Sequence, residues 1–124
     1  MTNTTQPPTN GALRVALANG VSHVVREYTG RGPTEARAVI SGDMVFVLMH
    51  TSLTKAEQTL AAEGKPELVY DRRRADQHAM RGAFKASVSD VTGRRVLAFM
   101  SADHLDPDVA LEFFLLEPDA EPAA

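Results

Sequence analysis

The stretch EARAVISGDMVFVLMH, residues 35–50, decides the fold. Its first half alternates. Ala36, Ala38 and Ile40 fall on one face, Arg37 and Val39 on the other, which is the period of a half-buried strand. Its second half, MVFVLMH, is apolar on both faces, the pattern of an interior strand covered on both sides. SGD, residues 41–43, is a short glycine-containing connection of the kind that reverses a chain. An antiparallel pair is expected.

N-terminal to this pair, Leu13, Leu17, Val21, Val24, Val25 and Tyr28 recur at spacings of three and four. They form the apolar stripe of a helix over Gly11–Tyr28, with Asn10 as its expected N-cap. Gly20 weakens the middle of that helix by about 1 kcal/mol relative to alanine. In EYTGRGPTEA, residues 27–36, Gly30 supplies a helix stop, and Pro33 forces Gly32 out of helical geometry. Arg31 is left unexplained by chain reversal.

C-terminal to the pair, LTKAEQTLAAEG carries a capping box, Thr54 with Glu57, and Gly64 ends the short helix. Pro66 suits the first turn of the next helix. No strong breaker follows before Val91 except Gly82. An unbroken helix there would run about 39 Å at 1.5 Å per residue, longer than the expected core is wide. It is expected to project, to pack on a partner or to break near Gly82. Beyond Thr92-Gly93, RVLAFMS and VALEFFLL read as strands, with ADHLDPD between them as a loop or hairpin connection.

The order α-β-β-α-α-β-β implies an α+β, two-layer domain, with a mainly antiparallel sheet of about four strands and helices packed on it. One domain is expected over residues 10–117. The tails 1–9 and 118–124 are polar and proline-rich and are expected to be disordered. The expected core is Leu17, Val21, Val24, Ile40, Phe46, Leu48, Leu60, Met80, Phe84, Leu97, Phe99, Leu111 and Phe113.

Composition narrows the function classes. The chain has 124 residues, a net charge of −3 and no cysteine. The charge counts against a broad nucleic-acid footprint, and the missing thiols exclude disulfide frameworks and thiolate metal sites. With no apolar run near the roughly 20 residues of a membrane span, a cytoplasmic protein, at most peripheral to a membrane, is expected.

Several segments together resemble the MpsC-like family, bacterial domains related to a component of a sodium-translocating, membrane-potential-generating system. They are GRGP after the first helix, GDM at the hairpin, LTKAEQTL, TGRRVLAFMSAD and FFLLEP, spread over residues 13–117. The long helix departs most: this chain reads VYDRRRADQHAMRGAFKASV where the family tends to an acidic, charge-rich segment. The resemblance implies contact with a membrane transport complex. It brings no established catalytic residues.

Arg31 stands out among residues that could carry chemistry. Flanked by Gly30 and Gly32, whose backbone N–H groups can point outward, its guanidinium could grip a small anion or nucleotide; alternatively it is a solvated arginine in a structural loop. Arg73 belongs to a basic helix face with Arg72, Arg74, Arg81 and Lys85, open to an acidic surface or to local ion pairs with Glu67, Asp71 and Asp76. SADHLDPD groups Asp103, His104, Asp106 and Asp108 without the spacing of a cation loop, so it reads as an acidic turn. No acid–base pair, nucleophile motif or metal-ligand spacing is present, so no catalytic residue, metal or cofactor is expected. The expected function is a non-catalytic accessory or regulatory role through protein contact; the alternative is a small-anion or nucleotide sensor at Arg31. A homodimer is expected, through the uncovered sheet face or the long helix, because a sheet apolar on both faces has too few helices to cover it and the long helix outreaches its own core.

Overall fold

The computed structural model describes residues 9–51 and 53–119. Helix α1 (Asn10–Thr29) leads into strands β1 (Glu35–Ser41) and β2 (Met44–His50). Helices α2 (Lys55–Ala62) and α3 (Pro66–Thr92) follow, then β3 (Val96–Leu105) and β4 (Asp108–Leu116). The strands form one antiparallel sheet of order β1-β2-β4-β3, so the two hairpins join through β2 and β4. The architecture is the expected α+β one. The expected tails lie mostly outside the described residues, but Thr9 has a structural role. Its hydroxyl, not Asn10, caps α1 by accepting from the Ala12 N–H at 3.0 Å.

Helices α1 and α3 cover one face of the sheet. Leu17, Val21 and Val24 from α1 meet Met80, Phe84 and Val88 from α3 above Val45, Val47, Met49, Phe99, Phe114 and Leu116. The Phe99 ring lies 5.7 Å from that of Phe84 and 5.1 Å from that of Phe114, offset aromatic contacts that knit helix to sheet. The helices cross closely at Gly20, where an added Cβ would sit 2.4 Å from the Ser87 hydroxyl. Helix α3 does not break at Gly82; it runs 27 residues. Its surplus N-terminal turns are used by α2, which packs on α3 beside the buried Val69.

Four expectations are corrected. Phe46, Leu48, Leu111 and Phe113 point away from the helices, because the inner positions of β2 and β4 are Val45, Val47, Met49, Ala110, Glu112, Phe114 and Leu116. Leu97 sits at an irregularity in the β3–β4 pairing and is 49% exposed; Leu60 and Ile40 are half-buried. Of the two readings of ADHLDPD the hairpin connection holds and the loop does not: both strands run into it, and only Asp106-Pro107 turns. MVFVLMH is not covered on both sides. Its outer face, with that of β4, is left open by the described residues, and the Phe46 and Phe113 rings pair there at 5.1 Å.

The two helix-interior glycines should respond oppositely to substitution. At Gly82 an added Cβ meets nothing within 4 Å, so Gly82→Ala should stabilise by about 0.5–1 kcal/mol through helix propensity. Gly20→Leu should destabilise by about 1–3 kcal/mol by forcing α1 from α3. Urea unfolding of both variants checks this; a stabilising Gly20→Leu would contradict the crossing.

Candidate functional site

Beside the pole of the sheet where β2 ends and β4 begins, α3 extends past the core, and the loop after α1 folds over the gap. The result is a cavity of about 160 Å³. Its roof is Arg31, Gly32 and Pro33; its helical wall is Arg72, Arg73, Asp76, Gln77 and Met80 of α3 with Glu57 of α2; its floor is Met49, Asp103, Ala110 and Glu112 of the sheet.

One charged cluster holds these parts in place. The Arg73 guanidinium donates to Asp108 Oδ1 at 2.6 Å and Oδ2 at 3.3 Å, and to Thr51 Oγ1 at 3.3 Å. Its Nε lies 3.5 Å from Glu57 Oε2. Glu57 is also the capping-box residue of α2: its Oε1 accepts from the Thr54 N–H at 2.9 Å, and its own N–H donates to Thr54 Oγ1 at 3.1 Å. A single glutamate thus fixes the start of α2 and neutralises a cation on α3. Burial alone would lower the Arg73 pKa, but the hydrogen bond and charge of Asp108, with Glu57, outweigh it and leave it raised.

The floor is less well satisfied. Glu112 is 1% exposed, in the second-from-edge strand between Val47 on β2 and Ser101 on β3. Burial pushes its carboxyl up to about 7; the Ser101 hydroxyl opposes the shift and the charge of Asp103 adds to it. The Ser101 hydroxyl is close enough to the carboxyl to hold the shift down but outside good hydrogen-bond geometry, so Glu112 Oε1 and Ser101 Oγ stay without a well-formed partner among the described residues, a costly state for buried polar atoms. Asp103 is also raised, mainly by burial, against the pull of Arg73 and the hydrogen bond from Gln77 Nε2 at 2.6 Å.

Of the residues singled out in the sequence, Arg31, Gly32 and Arg73 line this one cavity. Gly30 does not; with φ of 81° it is the left-handed cap of α1. Arg31 is held by its backbone, whose N–H donates to Thr29 Oγ1 and whose carbonyl accepts from that hydroxyl at 2.8 Å. Its side chain has no hydrogen-bond or ion-pair partner among the described residues, whereas Arg73 is fully engaged and Arg72 pairs with Asp76 at 3.5 Å. The rest of the basic helix face divides: Arg74 pairs with Asp71, and Arg81 lies 5.5 Å over the Phe99 ring. Glu112, Ser101 and the inward turn of Asp103 escaped the sequence reading. The one signal for them was a glutamate in a strand apolar on both faces. Among the described residues no group of three or more His, Asp or Glu side chains is placed to hold a metal ion.

Glu112 should make stability depend on pH. Its folded pKa of about 7 exceeds the ordinary 4.5, so between those values the folded state keeps a proton that the unfolded chain releases. Stability then falls as pH rises through this window and levels off above it, by up to about 3 kcal/mol. Glu112→Gln should match the wild type near pH 4.5 and exceed it at pH 8. Parallel profiles in urea titrations at the two pH values would contradict the burial of this carboxyl.

No helix among the described residues is long and apolar enough to cross a membrane. Neither the curated proteins nor the solved structures compared with the chain give a match. Residues 9–118 match the family described as Na+-translocating membrane potential-generating system (MpsC). That match runs from the Thr9 cap of α1 past the end of β4, over every helix and strand that builds the sheet and its cavity, and the chain belongs to the MpsC family.

Proposed function

We propose that this protein is a non-catalytic accessory or regulatory component of a membrane-potential-generating system, working through protein contact as a cytoplasmic homodimer peripheral to the membrane. The observation that carries the reading is the open outer face of the sheet. On its two central strands it presents Met44, Phe46, Leu48, Val109, Leu111, Phe113 and Leu115, and the flanking Val39 and Met100 are 54% and 59% exposed. Four strands about 4.8 Å apart and seven residues long, at about 3.3 Å each, make a face of roughly 450 Å² in projection, the size of the largest apolar patch on an ordinary monomer and of the kind that is often functional. Two copies face to face would bury roughly 900 Å² in projection, just under the roughly 1,000 Å² of a biological interface, so the pairing is a modest one.

A second copy suits the centre of this face because β2 and β4 carry no carboxylate, lysine or arginine there, the outward charges Glu35 and Arg37 lying on the edge strand β1. The family description supplies the membrane context. A second reading, a small-molecule sensor at Arg31, is favoured by the cavity that Arg31 and Gly32 roof.

Sedimentation velocity at micromolar concentration tests the dimer. The wild type should sediment as a dimer. Phe113→Asp and Met100→Glu should shift it to monomer with unchanged far-UV circular dichroism, and Val15→Asp, on the exposed side of α1, should not. A monomeric wild type, or a dimer indifferent to both sheet-face variants, would overturn the reading.

A further inference from the structure

We infer that the cavity beneath the loop after α1 binds a small organic zwitterion, an amino acid in the broad sense, with its ammonium group at Glu112 and its carboxylate on Arg31. The inference rests on the sensor reading of this cavity and is independent of the dimer. It follows from which lining groups are already engaged. Arg73 is taken by Asp108 and Glu57 and Arg72 by Asp76, while Asp103 accepts one hydrogen bond from the neutral Gln77 amide and keeps acceptor capacity to spare. What remains is one cation at the rim, Arg31, and on the floor two acidic side chains, Asp103 and Glu112, the latter with an Oε1 that has no partner among the described residues. The cavity is positive at its rim and acidic at its floor.

A ligand with one charge of each sign satisfies both ends. A bare anion on Arg31 would leave Glu112 Oε1 as it is, buried and unpaired. A divalent metal ion needs about six oxygen ligands, and the described residues bring no three acidic or histidine groups together for one. A primary ammonium needs only two or three acceptors, which the Glu112 and Asp103 carboxyls provide from the floor, and its charge favours their ionised forms. The size agrees. A cavity of about 160 Å³ is of the size that holds a benzene-sized body of roughly six heavy atoms. Glu112 is 1% exposed at the bottom of the cavity, and the side chains lining the approach include Met49 and Met80. These unbranched side chains change rotamer readily to admit a narrow ammonium end.

The test is a 15N-resolved NMR titration with the ω-amino acids from glycine to 6-aminohexanoate, alongside butylamine and butyrate. At least one ω-amino acid should give saturable shifts at the amides of Gly32, Ser101 and Asp103. Its affinity should fall roughly tenfold or more in Glu112→Gln and in Arg31→Ala, as expected on losing one charge-assisted contact. Arg31 is exposed, so Arg31→Ala stays informative even if Glu112→Gln fails to fold. Butyrate binding that depends on Arg31 and ignores Glu112, with no gain from an amino group, would overturn the zwitterion while leaving an anion sensor standing. Butylamine binding unaffected by Arg31→Ala would overturn it in favour of a cation site. No saturable shift with any probe at 10 mM, a concentration on the order of ten times a millimolar dissociation constant, would overturn both the zwitterion and the sensor reading.

Discussion

A four-stranded antiparallel sheet with apolar side chains on both faces meets a chain with helices enough for only one of them. The other features follow from that imbalance. Helices α1 and α3 close over Val45, Val47, Phe99 and Phe114, and the crossing at Gly20 brings them near enough to share the Phe84 contact. Helix α2 adds nothing to sheet coverage, because it packs on α3. The described residues leave the outer face open, and burying its apolar area is the largest favourable contribution the proposed second copy would make.

The cavity is a second consequence of the same arrangement. Helix α3 is longer than the sheet is deep, so its N-terminal turns overhang the pole where β2 and β4 meet. Arg73 bridges the overhang to Asp108, Thr51 and Glu57, fastening α3 to the sheet and to α2 through one guanidinium. Removing one partner of such a cluster leaves the others buried and unpaired, so the cluster keeps the cavity walls rigid. Inside, Ala110 is small and Glu112 carries a carboxyl where the rest of the inner face is mostly apolar. A buried carboxyl near neutral pKa costs stability, and sites of that kind gather where a ligand or proton is handled.

The elements were legible in the sequence because each has a local cause: the stripe of α1, the Thr54–Glu57 box of α2, Pro66 at the start of α3, and Gly42-Asp43 in the first hairpin. Which strand face turns inward was not legible. Alternation decides facing only when one face is polar, and β2 is apolar on both. In β4 the alternation misled, since Glu112 marks its own face as the outer one by every ordinary rule of burial. Arg31 was visible as a cation without a structural task, but its counterpart lies about eighty residues away on the sheet floor, and only the folded chain brings them to one cavity. The pairing of Arg73 with Asp108 was hidden for the same reason, both having seemed to belong to solvated charge clusters.

The most direct test of the outer face is a search for intermolecular NOEs in a sample mixing 13C-labelled and unlabelled protein. The account predicts contacts from the methyl groups of Leu48, Leu111 and Leu115 to aromatic protons of the unlabelled copy, with none from Val15 or Leu68 on the helical side. Intermolecular contacts confined to the helices, or none at concentrations where the protein sediments as a dimer, would contradict it.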